Sequence, residues 1–256
     1  MPLALRYLRA NGESEWQGLT RTAIKPFVLR YRSTNTFGSH EMARLHTLSP
    51  HRHLLWLAAL LLALVACSAP KQQALPAGAT VLVLGDSISA GYGLTPEQAW
   101  PAKLAAATGW NVVNAGVSGD TTAGGRERLP GLLEEHKPAA VMIELGGNDM
   151  LRKVPPAETR ANLEGMIDMV RNAGAVPILL ATPRFSVMGA AIGSLSAAEV
   201  YPELAEAQKV FLIEDAIPDV LSDKELKLDA LHPDEAGHVE LAKKVAEELK
   251  AGGFVR

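Results

Sequence analysis

A single cysteine in 256 residues leaves no partner for an internal disulfide, and it excludes a structural zinc site built on two or more thiolates. Charge of one sign is also lacking, since a formal net charge of −3 carries no footprint for nucleic acid. There is no internal repeat and no low-complexity tract. No apolar run approaches the ~20 residues that a membrane-spanning helix requires; the longest, residues 54–66, has thirteen. What is present is ordinary for a globular protein: 48% hydrophobic and 21% charged residues exclude disorder and collagen-like structure. The length suits one large or two small domains.

The small net charge conceals a division. Residues 1–66 hold eight Lys and Arg against three Asp and Glu, whereas residues 67–256 hold seventeen against twenty-five. The basic front contains the apolar run, preceded by Arg44, Arg52 and several histidines. A basic stretch, a short apolar stretch and small residues before a boundary describe a secretory signal rather than a membrane span. The boundary string Leu64-Val65-Ala66-Cys67 resembles the bacterial lipobox, which implies cleavage before Cys67 and lipidation of its thiol. Residues 1–41 show no sustained period, and a signal begins close to its apolar run. The expected organisation is therefore an upstream or extended N-region over 1–41 and a lipoprotein signal peptide over 42–66. A short tether over 67–79 and one domain over 80–256 follow.

Within that domain, five short apolar runs recur at 80–84, 111–114, 139–144, 176–181 and 210–213, spaced on the scale of βαβ units. Helical patterns fall between and after them at 97–108, 122–136, 157–172, 197–207 and 234–251. Runs such as Val81-Leu82-Val83-Leu84 are apolar without alternation, which suits strands covered on both faces. The reading is a three-layer α/β/α sandwich around a five-stranded parallel sheet. Ligands of such sheets sit outside the carboxyl ends of the strands, so the residues after each strand carry the chemistry.

After the first strand comes Gly85-Asp86-Ser87-Ile88-Ser89, which is neither the Gly-x-Ser-x-Gly nucleophile elbow nor a phosphate-binding glycine motif. Taken alone, Ser87 or Asp86 reads as a helix N-cap. The second strand leads into Ser118-Gly119-Asp120-Thr121, able to aim a backbone N–H at a ligand, and the third into Gly146-Gly147-Asn148-Asp149. That run is equally a cap or a donor of a side-chain amide. A serine nucleophile needs a base, and beyond the leader only His136, His232 and His238 remain. His136 ends a helical pattern and His238 lies inside the last one. His232 belongs to Asp229-Ala230-Leu231-His232-Pro233, where Pro233 suits a first helical turn and an aspartate three residues back can orient the imidazole.

Taken in this order, Gly85-Asp86-Ser87-Ile88-Ser89, Gly119, Gly147-Asn148-Asp149 and Asp229 to His232 resemble the SGNH or GDSL hydrolase family over roughly residues 80–250. Within it they are most similar to the bacterial multifunctional thioesterase, protease, lysophospholipase and arylesterase group. The resemblance implies a flavodoxin-like SGNH hydrolase fold with Ser87 as nucleophile, His232 as general base and acid, and Asp229 as its orienting carboxylate. It also implies an oxyanion hole of the Ser87 and Gly119 backbone N–H groups and the Asn148 side chain. No metal or organic cofactor is implied.

The expected activity is hydrolysis of small acyl esters, acyl thioesters or lysophospholipids through an acyl-enzyme. A carbohydrate O-deacetylase on the same fold and a non-catalytic envelope lipoprotein are the alternatives. The segment 182–195 follows the group's pattern only loosely, and both it and 150–154 are candidate substrate walls. Expected partners are the acyl substrate and, through a lipid at Cys67, a membrane, with no nucleic acid. Ser68 after the cysteine resembles an outer-membrane sorting signal, so the expected place is the cell envelope, facing the periplasm or exterior.

Overall fold

The computed structural model describes residues 74–184 and 193–255. Cys67, the leader before it and residues 185–192 of the second candidate wall lie outside them. The described chain forms five strands: β1 (Thr80–Gly85), β2 (Asn111–Gly116), β3 (Ala140–Glu144), β4 (Val176–Leu180) and β5 (Phe211–Ile213). All pair in parallel in the order β2-β1-β3-β4-β5, the flavodoxin-like arrangement. The order doubles back beside β1, so chain segments leaving β1, β2 and β3 diverge around one crevice at the carboxyl edge.

Eight α-helices are described: α1 (Ser87–Ala90), α2 (Trp100–Thr108), α3 (Thr122–His136), α4 (Gly147–Leu151), α5 (Pro156–Asn172), α6 (Val200–Gln208), α7 (Ala216–Ser222) and α8 (Glu235–Ala251). On one sheet face Val81, Val83, Met142 and Ile178 pack against Trp100 and Leu104 of α2, Ile217 of α7, and Leu241 and Val245 of α8. On the other, Leu82, Leu84, Val141 and Ile143 meet Leu129 of α3, Leu163, Met166 and Val170 of α5, and Tyr201 of α6. Alternate residues of one strand thus enter opposite cores, which is why the strand sequences are apolar without a polar face. The edge strand β2 is the exception, with Asn111 and Asn114 exposed.

The strands fall where the apolar runs place them, and α3 matches its pattern. Two helices start later than expected. Pro96 and the Thr95–Gln98 turn precede α2, and Ala197 bridges Pro183 before α6 begins. Pro233 also lies outside its helix, bridging Lys227, while Asp234 caps α8 by accepting from the Gly237 N–H. The short helices α1, α4 and α7 are too brief to leave a periodic signature.

Candidate active site

The turn after β1 is built for close approach. Any side chain at Gly85 would run into Ser89 and the carboxylate of Glu144, so glycine lets α1 fold back onto the sheet edge. Asp86 caps α1 by accepting the Ile88 N–H at 3.0 Å, which leaves Ser87 as the first helical residue, half-buried and facing the crevice. The N-cap reading of Asp86 is correct, and it frees Ser87 for chemistry.

His232 arrives from the far end of the chain. Its Nε2 lies 3.0 Å from Ser87 Oγ, across 145 residues of sequence, and its Nδ1 lies 2.9 Å from each carboxylate oxygen of Asp229. Asp229 Oδ1 also accepts the backbone N–H groups of Leu231 and His232. Partial burial pushes the Asp229 carboxyl up, but the bonds from the His232 side chain and these N–H groups outweigh it and hold the group below its ordinary range. An ionised Asp229 fixes the proton on Nδ1, leaving Nε2 to accept from the serine hydroxyl.

On the opposite side, Gly119 takes φ +79°, a left-handed conformation that only glycine adopts without strain. Its loop is tied at both ends. Arg128 bridges Asp120 at 2.8 Å and the carbonyls of Ala115 and Gly85 at 2.6 and 3.0 Å, while Arg152 donates to the Gly119 carbonyl at 2.7 Å. The backbone N–H groups of Ser87 and Gly119 have no acceptor among the described residues.

Asn148 and Asp149 divide the roles that the sequence leaves joined. Asp149 turns inward and accepts from the backbone and hydroxyl of Thr122 at the start of α3, a structural tie. Asn148 stays at the crevice, donating one amide hydrogen to Asp86 Oδ2 at 3.0 Å. That bond fixes which way the amide faces and leaves its second hydrogen for a ligand.

Beneath lies a buried carboxyl pair. Glu144, fully buried, accepts the Asp86 N–H at 3.2 Å and the Ser89 hydroxyl at 2.7 Å through Oε2, while Oε1 has no partner among the described residues. Burial pushes Glu144 well above the ordinary carboxylate range, reinforced by the charge of Asp86. Burial also raises Asp86, to about 6, against the bond from Ile88, the charge of His232 and the Asn148 bond, which pull it down. Sequence reasoning did not assign Glu144 or Arg128 a role here, placed Arg152 only within a candidate wall, and gave Asp86 only its cap. The one available signal was a carboxylate closing the otherwise apolar β3.

These groups line a cavity of about 340 Å³ whose walls include Ser87, Gly119, Asn148 and His232, with Tyr92, Leu151, Thr182 and Pro183. A second, more apolar cavity of about 470 Å³ begins on the next residues of the same two loops, between Met150, Val154 and Pro155 on one side and Arg184, Ala198 and Val200 on the other. Both segments singled out as candidate walls therefore border the site in their described parts. His136 and His238 lie elsewhere: His238 Nδ1 accepts the Trp100 N–H and so fastens the start of α2 to α8.

A hydroxyl, an imidazole and a carboxylate in line, facing convergent N–H donors at the carboxyl edge of a parallel sheet, define the serine-hydrolase class on a three-layer α/β fold. Residues 83–239 match the GDSL-like lipase/acylhydrolase family, and the chain belongs to that family. It is 38% identical over 175 residues to an arylesterase of Vibrio mimicus, covering 66% of this chain and 87% of that protein. It is 37% identical over 176 residues to the thioesterase 1/protease 1/lysophospholipase L1 of Escherichia coli K12, covering 67% and 83%. The crystal structure of TesA superposes with a TM-score of 0.58 at 40% identity, covering 68% of this chain and 99% of that one.

Proposed function

We propose that this chain is a serine carboxylic-ester hydrolase acting on acyl esters, acyl thioesters or lysophospholipids through an acyl-enzyme at Ser87. The observation that carries the reading is the 3.0 Å contact between Ser87 Oγ and His232 Nε2, with Asp229 behind the ring and Asn148 across the crevice. Ser87 Oγ bonds to the substrate carbonyl carbon as its proton passes to His232 Nε2. The carbonyl oxygen becomes an oxyanion facing the Ser87 and Gly119 N–H groups and the free Asn148 hydrogen. As the tetrahedral adduct collapses, the bond to the alcohol or thiol breaks and His232 returns the proton to it. A water then repeats the sequence on the acyl-enzyme, giving the carboxylic acid and restoring Ser87.

The apolar second cavity supports an acyl chain longer than acetyl. A chain-length profile on p-nitrophenyl esters separates this reading from a carbohydrate O-deacetylase, which would prefer acetylated sugars. Fluorophosphonate labelling at Ser87, abolished in Ser87→Ala together with turnover, is the expected result. Parental turnover in a folded Ser87→Ala variant would overturn the mechanism, and an unlabelled, inactive parent would favour a non-catalytic lipoprotein.

The location is part of the same proposal and rests on sequence alone: a lipid on Cys67 holding the domain in the cell envelope, with outer-membrane sorting suggested by Ser68. Metabolic labelling with a fatty-acid analogue tests it. Incorporation lost in Cys67→Ser supports the anchor, and an unmodified thiol in the membrane fraction refutes it.

A further inference from the structure

Tyr92 is half exposed, yet its ring lies on the face of the His232 imidazole, with centroids 4.4 Å apart and planes inclined by 28°. The position is held by backbone. The chain leaves α1 through Gly91 at φ +76°, and the N–H groups of Gly91 and Tyr92 both donate to the carbonyl of Ser87, at 3.1 and 3.0 Å. The nucleophile and the stacking ring thus belong to one six-residue unit. The segment carrying Asp229 and His232 is largely exposed and has little packing of its own. Besides the hydrogen bond to Ser87, it meets the nucleophile's unit at this stack and the residue just after that unit where Leu228 closes on Gly93. The Tyr92 hydroxyl has no hydrogen bond among the described residues, so the ring makes the contact and the hydroxyl does not.

We propose that Tyr92 is a positioning residue for acyl transfer, holding the His232 ring in line with Ser87 and stabilising the imidazolium formed when Ser87 gives up its proton. The inference rests on the serine-hydrolase reading of the site. An aromatic face within about 6 Å attracts a cation more strongly than a neutral ring. The contact therefore tightens as the transition state is approached. Interactions that strengthen in this way raise kcat, whereas those equal in ground and transition states change only KM.

The test compares Tyr92→Leu, Tyr92→Phe and Tyr92→Trp in the full chain, using a short, soluble p-nitrophenyl ester and a fluorophosphonate. Leucine keeps apolar cover without a π face. It should lower kcat about three- to thirtyfold, slow fluorophosphonate labelling in proportion, and leave KM within about twofold and the melting temperature unchanged. Phenylalanine and tryptophan should restore parental values. Parental kcat in the leucine variant would overturn the proposal, as would a loss confined to KM, which would make Tyr92 only a substrate contact. Equal damage from phenylalanine would assign the role to the hydroxyl and overturn it too. Failure of the underlying reading shows separately, as turnover surviving in Ser87→Ala.

Discussion

The two sides of the crevice are built in opposite ways. Asp229 and His232 sit three residues apart in a largely exposed turn, and all the bonds that orient the imidazole from behind come from within that turn. Asp86 lies about sixty residues from both Glu144 and Asn148, meets them only because β1 and β3 are neighbours, and is buried, as is Glu144. The electrostatics divide with the construction. The exposed side holds its carboxyl ionised through hydrogen bonds, and the buried side pushes its carboxyls toward the protonated form. One sheet edge thus carries a carboxylate held below its ordinary range behind the base and one raised to about 6 behind the oxyanion donor.

The sharpest test sets one side against the other. Asp229→Asn should lower kcat on a p-nitrophenyl ester by on the order of 10³- to 10⁴-fold, because an amide no longer enforces the Nδ1 proton. Asn148→Ala should cost about 10²- to 10³-fold, the value of one preorganised donor. Both variants should bind substrate with little change in KM. If the alanine variant proved the more damaged, the oxyanion side would be the dominant one and the comparison would be reversed.

The same contrast explains what could be read from the sequence. Asp229 and His232 were legible because their relation is local: an aspartate three residues before a histidine can orient the ring, and the place of the string after the last strand, together with the family resemblance, singles it out. Ser87, Gly119 and Asn148 were legible as strand-end residues once the apolar runs had located the strands, with family resemblance supplying their roles. The bond from Asn148 to Asp86 was not legible, because it depends on strand order β2-β1-β3, which no local pattern encodes. Glu144 read as the end of an apolar run; only burial reveals it as a carboxyl pushed toward the protonated form. The guanidinium ties of Arg128 and Arg152 to the Gly119 loop are likewise contacts between segments of distant sequence.

A smaller effect tests the buried side through stability. Asp86 titrates at about 6 in the fold, so the native state takes up protons before the unfolded chain does. Stability from this group rises as pH falls from about 6 toward its ordinary 3.8. His238 acts in the other direction. Burial and the charge of Lys103, against the opposing pull of Asp234, lower it from 6.5 to about 4. Its contribution is present above 6.5 and lost as pH falls toward 4. Each is worth about 2 kcal/mol between pH 7 and pH 4.5, and they nearly cancel. Asp86→Asn should therefore lose more stability than the parent on acidification, and His238→Gln should lose less, as read from denaturant unfolding at the two pH values. Parallel curves for all three proteins would show that neither group titrates as its burial dictates.

The smallest change is expected at the most buried group. Glu144, pushed by burial toward the protonated form, carries a cost that grows as pH rises above 4.5, because the unfolded chain ionises it more readily than the fold does. Glutamine removes that cost and retains an oxygen for the Asp86 N–H and the Ser89 hydroxyl, but it places an amide where Oε1 has no partner among the described residues. An unpaired buried donor costs about 1–3 kcal/mol, of the same order as the cost removed. Glu144→Gln should therefore lie within about 1 kcal/mol of the parent near neutral pH and gain on it as the solution is made more alkaline. A large loss at every pH would mean that Glu144 is ionised in the fold. The buried side would then hold charge as the exposed side does, and the opposition between the two would fail where it is most strongly drawn.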